Sequence, residues 1–424
     1  MEGVTQREDA ERAVLAGLSS RALPDDENSD DNTMDELEEL LKTAGGTCIA
    51  RVIQTRPSPD PKTFIGEGKA LEIREFAKEN DASLIVFDND ISPSQTRALE
   101  EATGVRVIDR STLILDIFAS RARTKEGKLQ VEYAQYKYLL PRLTGMWQHL
   151  VRQTSSGGKS PIGTRGPGET QLETDRRHMR ERLKKVGEEL EKVKEVRANQ
   201  RRRRQKTGIP LVAIVGYTNA GKSTLLNTLT GSRIEANDRL FDTLDPTTRL
   251  LKISDSQEIV LSDTVGFIKK LPHHLIEAFK ATLEELTYAD LLLHVVDLSN
   301  PEHRMQEEVV DKLVSELGAE KTPLIRVYNK CDRAPLDHYL NGRDSVLISA
   351  KTGAGLDLLK EKITAALSKT THRVSFLLPY EASKVLDMLY SHADVKKAEY
   401  QDRGIQIEAL CNGRVLDSIR EWVK

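Results

Sequence analysis

The sequence is poor in cysteine, in aromatic residues and in long apolar runs. Its 424 residues include three cysteines, Cys48, Cys331 and Cys411, far apart and without a C-x-x-C pair. That excludes a disulfide framework and a clustered zinc site, and it suits a reducing compartment. No stretch approaches the ~18 apolar residues that span a bilayer, and the acidic N-terminus lacks the apolar core of a secretory signal. The expectation is a cytoplasmic protein. A strong net charge is also missing, since 63 Lys and Arg against 66 Asp and Glu leave -3. The balance hides an asymmetry. Acidic residues crowd positions 24–39, whereas Arg176 to Lys206 carries 14 Lys and Arg against 5 Asp and Glu and ends in Arg201-Arg202-Arg203-Arg204. A charge run is ordinarily a solvated helix face. Four consecutive self-repelling arginines are better tolerated beside a polyanion, so nucleic acid is a candidate partner.

The length predicts two or three domains. Residues 1–33 read as a disordered acidic tail, because Pro24-Asp25-Asp26-Glu27-Asn28 has little to bury. Residues 34–125 alternate strands (Thr47 to Gln54, Ser83 to Asp88, Val105 to Ile108) with helices, the pattern of a small parallel α/β subdomain. Over 126–207 the periodicity changes. Leu129, Tyr133, Tyr136, Leu140, Leu143, Trp147 and Leu150 alternate four and three apart, and Leu172, Met179, Leu183, Val186, Leu190 and Val193 follow the same rule with one turn missing at Arg176. These are seams of coiled-coil type, expected to fold back as an antiparallel helical hairpin with a kink at Pro141. The connector, Ser155 to Gly168, holds five glycines, two prolines, Lys159 and Arg165. It reads as a flexible cationic tip able to meet phosphates in an RNA-lined cavity. Residues 208–370 read as a doubly wound, mostly parallel α/β domain, with strands at Leu211 to Val215, Ile259 to Asp263, Leu291 to Val296, Leu324 to Tyr328 and Ser345 to Ile348. Residues 371–424 read as a small α+β appendage.

Gly216-Tyr217-Thr218-Asn219-Ala220-Gly221-Lys222-Ser223 fits G-x-x-x-x-G-K-[ST] between an apolar strand and a helix. Its backbone N–H groups can curl around phosphates, Lys222 can reach the β/γ oxygens, and the Ser223 hydroxyl can take one Mg²⁺ position. Asp263-Thr264-Val265-Gly266 ends a later strand, where Asp263 can orient the Mg²⁺ shell through water and the Gly266 N–H can sense a γ-phosphate. Asn329-Lys330-Cys331-Asp332 ends another. A carboxylate at Asp332 accepts both N1–H and N2–H₂ of guanine, a donor pair adenine lacks, which selects GTP over ATP. Ser349-Ala350-Lys351 is expected to close the base pocket with backbone N–H groups near guanine O6. Between the phosphate loop and Asp263 lies Phe241-Asp242-Thr243-Leu244-Asp245-Pro246-Thr247-Thr248, where a threonine is expected to ligate Mg²⁺ only when the γ-phosphate is present. The residues alone do not separate Thr243 from Thr247 or Thr248.

The order and spelling of these motifs resemble the translation-factor-related GTPases, specifically the HflX family. Outside them, Phe64-Ile65-Gly66-Glu67-Gly68-Lys69, Gln130 to Gln135, Leu140-Pro141-Arg142-Leu143 and Arg165-Gly166-Pro167-Gly168-Glu169-Thr170-Gln171-Leu172-Glu173 carry the same resemblance, from about Met34 to the C-terminus. The resemblance selects Thr243 as the switch ligand of Mg²⁺. It implies a GTPase that binds the large ribosomal subunit, with its tip loop toward the peptidyl-transferase region, and that splits stalled or idle ribosomes or acts in subunit assembly. Many GTPases place a glutamine after D-x-x-G to orient the attacking water; here Phe267 stands there, so slow hydrolysis by the protein alone is expected. The resemblance suggests K⁺ held at Asn219, or the ribosome, as the source of acceleration. A monomer is expected. The rival reading keeps the GTPase domain but makes the hairpin a docking stalk for a protein partner.

Overall fold

Ala13-Val14-Leu15-Ala16 is a short apolar run in the stretch expected to be a disordered tail, and the structure corrects that expectation. In the computed structural model, which describes residues 10–24, 27–154, 167–207, 209–231, 240–241, 247–254, 257–270, 272, 275, 279, 284–333, 344–368, 371–412, 416, 419–420 and 422, the run forms strand β1 (Arg12–Ser20). It is an interior strand, paired in parallel with β2 (Thr47–Arg56) and β3 (Leu84–Phe87), and β3 pairs in turn with β4 (Arg106–Asp109). The order is β2-β1-β3-β4. A strand buried on both faces reads as a continuous apolar run rather than an alternation, and Val14, Leu15 and Leu18 are fully buried. Much of the acidic stretch 24–39 falls in helix α1 (Asp31–Thr43), whose cap Asp30 accepts the Thr33 N–H at 2.7 Å, while Asp25 and Asp26 lie outside the described residues.

Helices α2 (Glu67–Glu79), α3 (Pro93–Thr103) and α4 (Arg110–Arg121) complete this sheet module. Its strand order reverses between β1 and β3, the place where open α/β sheets bind ligands. The module's own side chains fill it. Asn89 accepts the Leu18 N–H at 2.9 Å and donates to Glu27 O at 2.7 Å, while Ser29 Oγ donates to Asp88 at 2.7 Å. Burial would raise the Asp88 pKa, but Arg110 (2.8 Å) and Lys270 hold it below the usual carboxylate range.

Helix α5 (Lys125–Thr154) contains Pro141, and α6 (Pro167–Thr207) follows the tip. Glu132 of α5 bonds Arg182 of α6 at 2.6 Å, and Val186 and Leu190 of the expected seam are buried. The tip residues 155–166 lie outside the described residues. Besides the seam, α5 buries a second stripe, Val131, Ala134 and Tyr138. Tyr138 bonds Asp109 at 2.6 Å and Arg142 bonds the same carboxylate at 3.0 Å, which fixes α5 to the end of β4.

The chain divides into two compact units, with the boundary inside α6 between Leu190 and Glu191. Two later segments, Arg239–Phe241 and Lys269–Phe279, belong to the first unit. There the Phe118 ring meets Phe241 and Phe279 edge-on, with centroids 4.7 and 4.9 Å away.

The second unit is built on a six-stranded sheet of β5 (Leu211–Gly216), β6 (Thr247–Ser254), β7 (Gln257–Asp263), β8 (Leu291–Asp297), β9 (Leu324–Asn329) and β10 (Ser345–Leu347), in the order β10-β9-β8-β5-β7-β6. All pairs are parallel except β6 with β7. Helices α7 (Lys222–Thr230), α8 (His303–Glu316) and α9 (Leu356–Ser368) accompany it. The antiparallel edge strand β6 begins at Thr247 and Thr248, which the sequence placed in a switch loop. The C-terminal module has the order β11-β13-β12, from β11 (Thr371–Leu378), β12 (Asp394–Gln401) and β13 (Gly404–Asn412), with α10 (Ser383–His392). Leu416, Ile419 and Trp422 join its core, while most of the last expected helix lies outside the described residues.

If β1 is a core strand, Leu15→Ala should lower stability by about 3 kcal/mol, the usual cost of a buried Leu→Ala cavity. Urea unfolding followed by circular dichroism checks this; a midpoint unchanged from the parent would return the segment to the status of a tail.

Candidate active site

Every residue of Leu211–Val215 is buried, so the core fixes where β5 ends and where the loop from Gly216 to Ser223 begins. The loop emerges at the carboxyl edge of the sheet, where the strand order turns away from β5 on both sides. At Gly221 φ is 94°, and a Cβ would fall 2.2 Å from Asn329 Nδ2. Glycine is therefore required, and the first N–H groups of α7, which lack an acceptor within the helix, suit an anion. Asn219 is also left-handed, with φ of 61°, a conformation asparagine tolerates.

Lys222 is 6% exposed, and its Nζ donates to Tyr217 O at 2.7 Å. Burial pulls its pKa down to about 8, against the opposing effect of Asp263. Ser223 Oγ donates to Asp263 Oδ2 at 2.7 Å, and the Thr264 N–H donates to Asp263 Oδ1 at 2.9 Å. The Thr264 hydroxyl anchors this segment to β5 through Ile214 O at 2.7 Å. Val265 is buried, and Gly266 approaches both Thr218 and Lys222. Phe267, also buried, exchanges backbone bonds with the phosphate loop rather than presenting a polar group.

At the base end, Asn329 Nδ2 donates to Ala220 O at 2.9 Å and its Oδ1 accepts the Ala350 N–H at 2.9 Å. One side chain thus clamps the phosphate loop to the 349–351 loop. The Ala350 N–H, expected near guanine O6, is engaged in that clamp. Lys330 takes φ of 63° and pairs with Asp297 at 2.7 Å, a partner that sequence reasoning missed although β8 ends in it. The Cys331 N–H donates to Ile348 O at 3.1 Å. The Ser349 hydroxyl, above all, holds the Asp332 carboxyl below the usual range, with Arg333 and Lys351 acting in the same direction. Asp332 is therefore a carboxylate at neutral pH, as acceptance of two guanine donors requires.

The described geometry thus joins Gly216 to Ser223, Asp263 to Gly266, Asn329 to Asp332 and Ser349 to Lys351 around one sheet edge. Phe241 belongs to the first unit. Asp242, Thr243, Leu244 and Asp245 lie outside the described residues.

Fold and site together define a P-loop GTPase. Residues 31–119 match the GTP-binding GTPase N-terminal family, residues 121–204 the GTP-binding GTPase Middle Region, and residues 211–330 the 50S ribosome-binding GTPase family. GTPase HflX of Caldanaerobacter subterraneus subsp. tengcongensis is 48% identical over 415 residues, 98% of this chain and 94% of its own length. GTPase HflX of Escherichia coli (strain K12) is 44% identical over 385 residues, 89% of each chain. A crystal structure of a GTP-binding protein from Sulfolobus solfataricus in complex with GDP is 26% identical, covering 84% of this chain and 98% of that one with a TM-score of 0.43. The chain belongs to the HflX family of GTPases, and its activity is the hydrolysis of GTP.

Two outcomes follow from this geometry. Asp332→Asn should shift preference from GTP toward xanthosine triphosphate, because one guanine donor loses its acceptor; unchanged GTP affinity would remove Asp332 from the base pocket. Phosphate binding should restore the charge of Lys222. A lysine with a lowered pKa is already charged below about pH 8 but largely neutral between there and the ordinary value of about 10.4. Near pH 8.5, GDP binding should therefore take up most of one proton, and near pH 7 almost none. Calorimetry in two buffers of different ionisation heat reads this directly. Lys222→Ala should abolish both the uptake and turnover.

Proposed function

We propose that this GTPase acts on the large ribosomal subunit and couples its nucleotide cycle to splitting or rescue of stalled or idle ribosomes, or to subunit assembly, as a monomeric cytoplasmic factor. The observation that carries the proposal is the 41-residue helix α6. Between Arg176 and Lys206 it carries 14 cations against 5 anions, and it leads back from the glycine-rich tip. Among its described cations, the Arg177 and Lys184 side chains are 68% and 80% exposed. Such a helix suits a phosphate backbone, and Lys159 and Arg165 add cations at the tip. The 50S ribosome-binding description of the family matching residues 211–330 supports the same reading. Among the described residues no helix is long and apolar enough to cross a membrane.

Hydrolysis would run with Mg²⁺. The adjacent Ser223 hydroxyl and Asp263 carboxylate are hard oxygen donors that suit this ion, and Thr243 would complete the set. Held there, the ion would offset the negative charge of the phosphate oxygens. Asn219 would hold an activating K⁺. With Phe267 after Gly266, turnover by the protein alone is slow, and the large subunit accelerates it.

Turnover with and without large subunits, in K⁺ and in Na⁺, tests the proposal. Deleting residues 156–166 should leave the unstimulated rate intact and remove most of the stimulation; full stimulation after the deletion would make the tip passive. Stimulation should also fall steeply with salt, as phosphate contacts do. A flat salt response would favour a protein partner on the stalk.

A further inference from the structure

Asp297 lies outside every motif of the nucleotide site, yet it joins two of the strand ends from which that site is built. It closes β8 in register with Asn329, the last residue of β9, and the Leu298 N–H donates to Asn329 O at 3.0 Å. What leaves β9 is the turn from Lys330 to Arg333, closed by the Arg333 N–H on Lys330 O at 2.9 Å. The Asp297 carboxylate spans both exits. Its Oδ1 accepts the Ser299 N–H at 3.0 Å and the Ser299 hydroxyl at 2.6 Å, which fixes it to its own turn. Its Oδ2 accepts from Lys330 Nζ at 2.7 Å.

Lys330 is a residue that needs such a hold. Its φ of 63° is left-handed, a conformation that suits glycine, asparagine or aspartate and is unfavourable for a long side chain. Such backbone persists where its surroundings over-determine it. The reversal at Lys330 separates two neighbours that face different groups. Asn329 bonds Ala220 and Ala350, whereas Asp332 is bonded by Ser349. An exposed ion pair adds little to stability, and this one is only partly shielded, with side chains 14% and 21% exposed. What it supplies here is an anchor for a strained backbone reversal, two residues before the carboxylate expected to read the base.

We infer that Asp297 is a positioning residue for guanine specificity, holding the Lys330 reversal so that both Asp332 oxygens meet the base at once. The inference rests on the reading of Asp332 as acceptor of guanine N1–H and N2–H₂. Two bonds to one flat edge require the carboxylate to lie near the plane of the base, because hydrogen bonds weaken steeply as their angle closes. A single bond tolerates rotation of the carboxylate about it. Loosening the turn therefore harms a base with two donors more than a base with one. Hypoxanthine is the one-donor case, since it keeps N1–H and lacks the N2 amine.

The readout is the ratio of GDP to IDP affinity, measured by calorimetry on the full chain. Asp297→Ala should weaken GDP about tenfold, roughly the loss of one bond to a charged acceptor, and IDP no more than about twofold. Asp297→Asn keeps the shape and the Ser299 bonds but not the charge, and should move the ratio the same way should the alanine variant fail to fold. Lys330→Met keeps the aliphatic stem and removes the pair from its other side. It should match Asp297→Ala, and the double variant should be no worse than either alone. Equal weakening of GDP and IDP would assign Asp297 to the fold alone, and two unchanged affinities would show the turn to stand without it; either overturns the inference. Asp332→Ala is the control, because it removes the acceptors for both donors and should bring the ratio close to one. A ratio that survives Asp332→Ala would overturn the base-pocket reading and the inference together. A ratio lost in Asp332→Ala but kept in the Asp297 variants would overturn the inference alone.

Discussion

A buried lysine amine held by a carbonyl of its own loop is the constraint on which the nucleotide end of this GTPase depends. Taking Lys222 out of water disfavours its charge, so the loop holds a cation that a phosphate would stabilise. Keeping that arrangement requires a rigid frame, and each neighbouring feature supplies part of it. The fully buried β5 fixes the start of the loop. Gly221 lets it turn under Asn329, and Asn329 bonds the loop on one side and Ala350 on the other.

The parts legible in the sequence were those where chemistry demands particular residues at fixed spacing. Glycine at 221, lysine at 222 and carboxylates at the ends of β7 and beyond β9 cannot be exchanged freely, so their order was readable before any coordinates. Strand β1 was not legible as part of the core. Half of its apolar stretch is Ala13, Ala16 and Gly17, which give little hydrophobic signal, and the acidic residues crowding positions 24–39 dominate the local composition. β6 escaped for a different reason: it is an antiparallel edge strand with Arg249, Leu250 and Lys252 among its residues, and Leu250 is exposed, so no apolar run marks it. In α5 the seam was visible, but the second stripe of Val131, Ala134 and Tyr138 was not. Its meaning comes from Asp109 at the end of β4, a partner far away in the chain. The engagement of the Ala350 N–H by Asn329 likewise depends on how two strand ends meet.

The sheet of the first unit shows how little fold alone says about function. By strand order it has the crevice that binds ligands in open α/β proteins, yet Asp88, Asn89 and Ser29 fill it with mutual hydrogen bonds. What such a sheet edge offers depends on the side chains at its strand ends. In the first unit they satisfy one another. In the second, glycines keep the edge open, and the polar groups aim at a phosphate and a base.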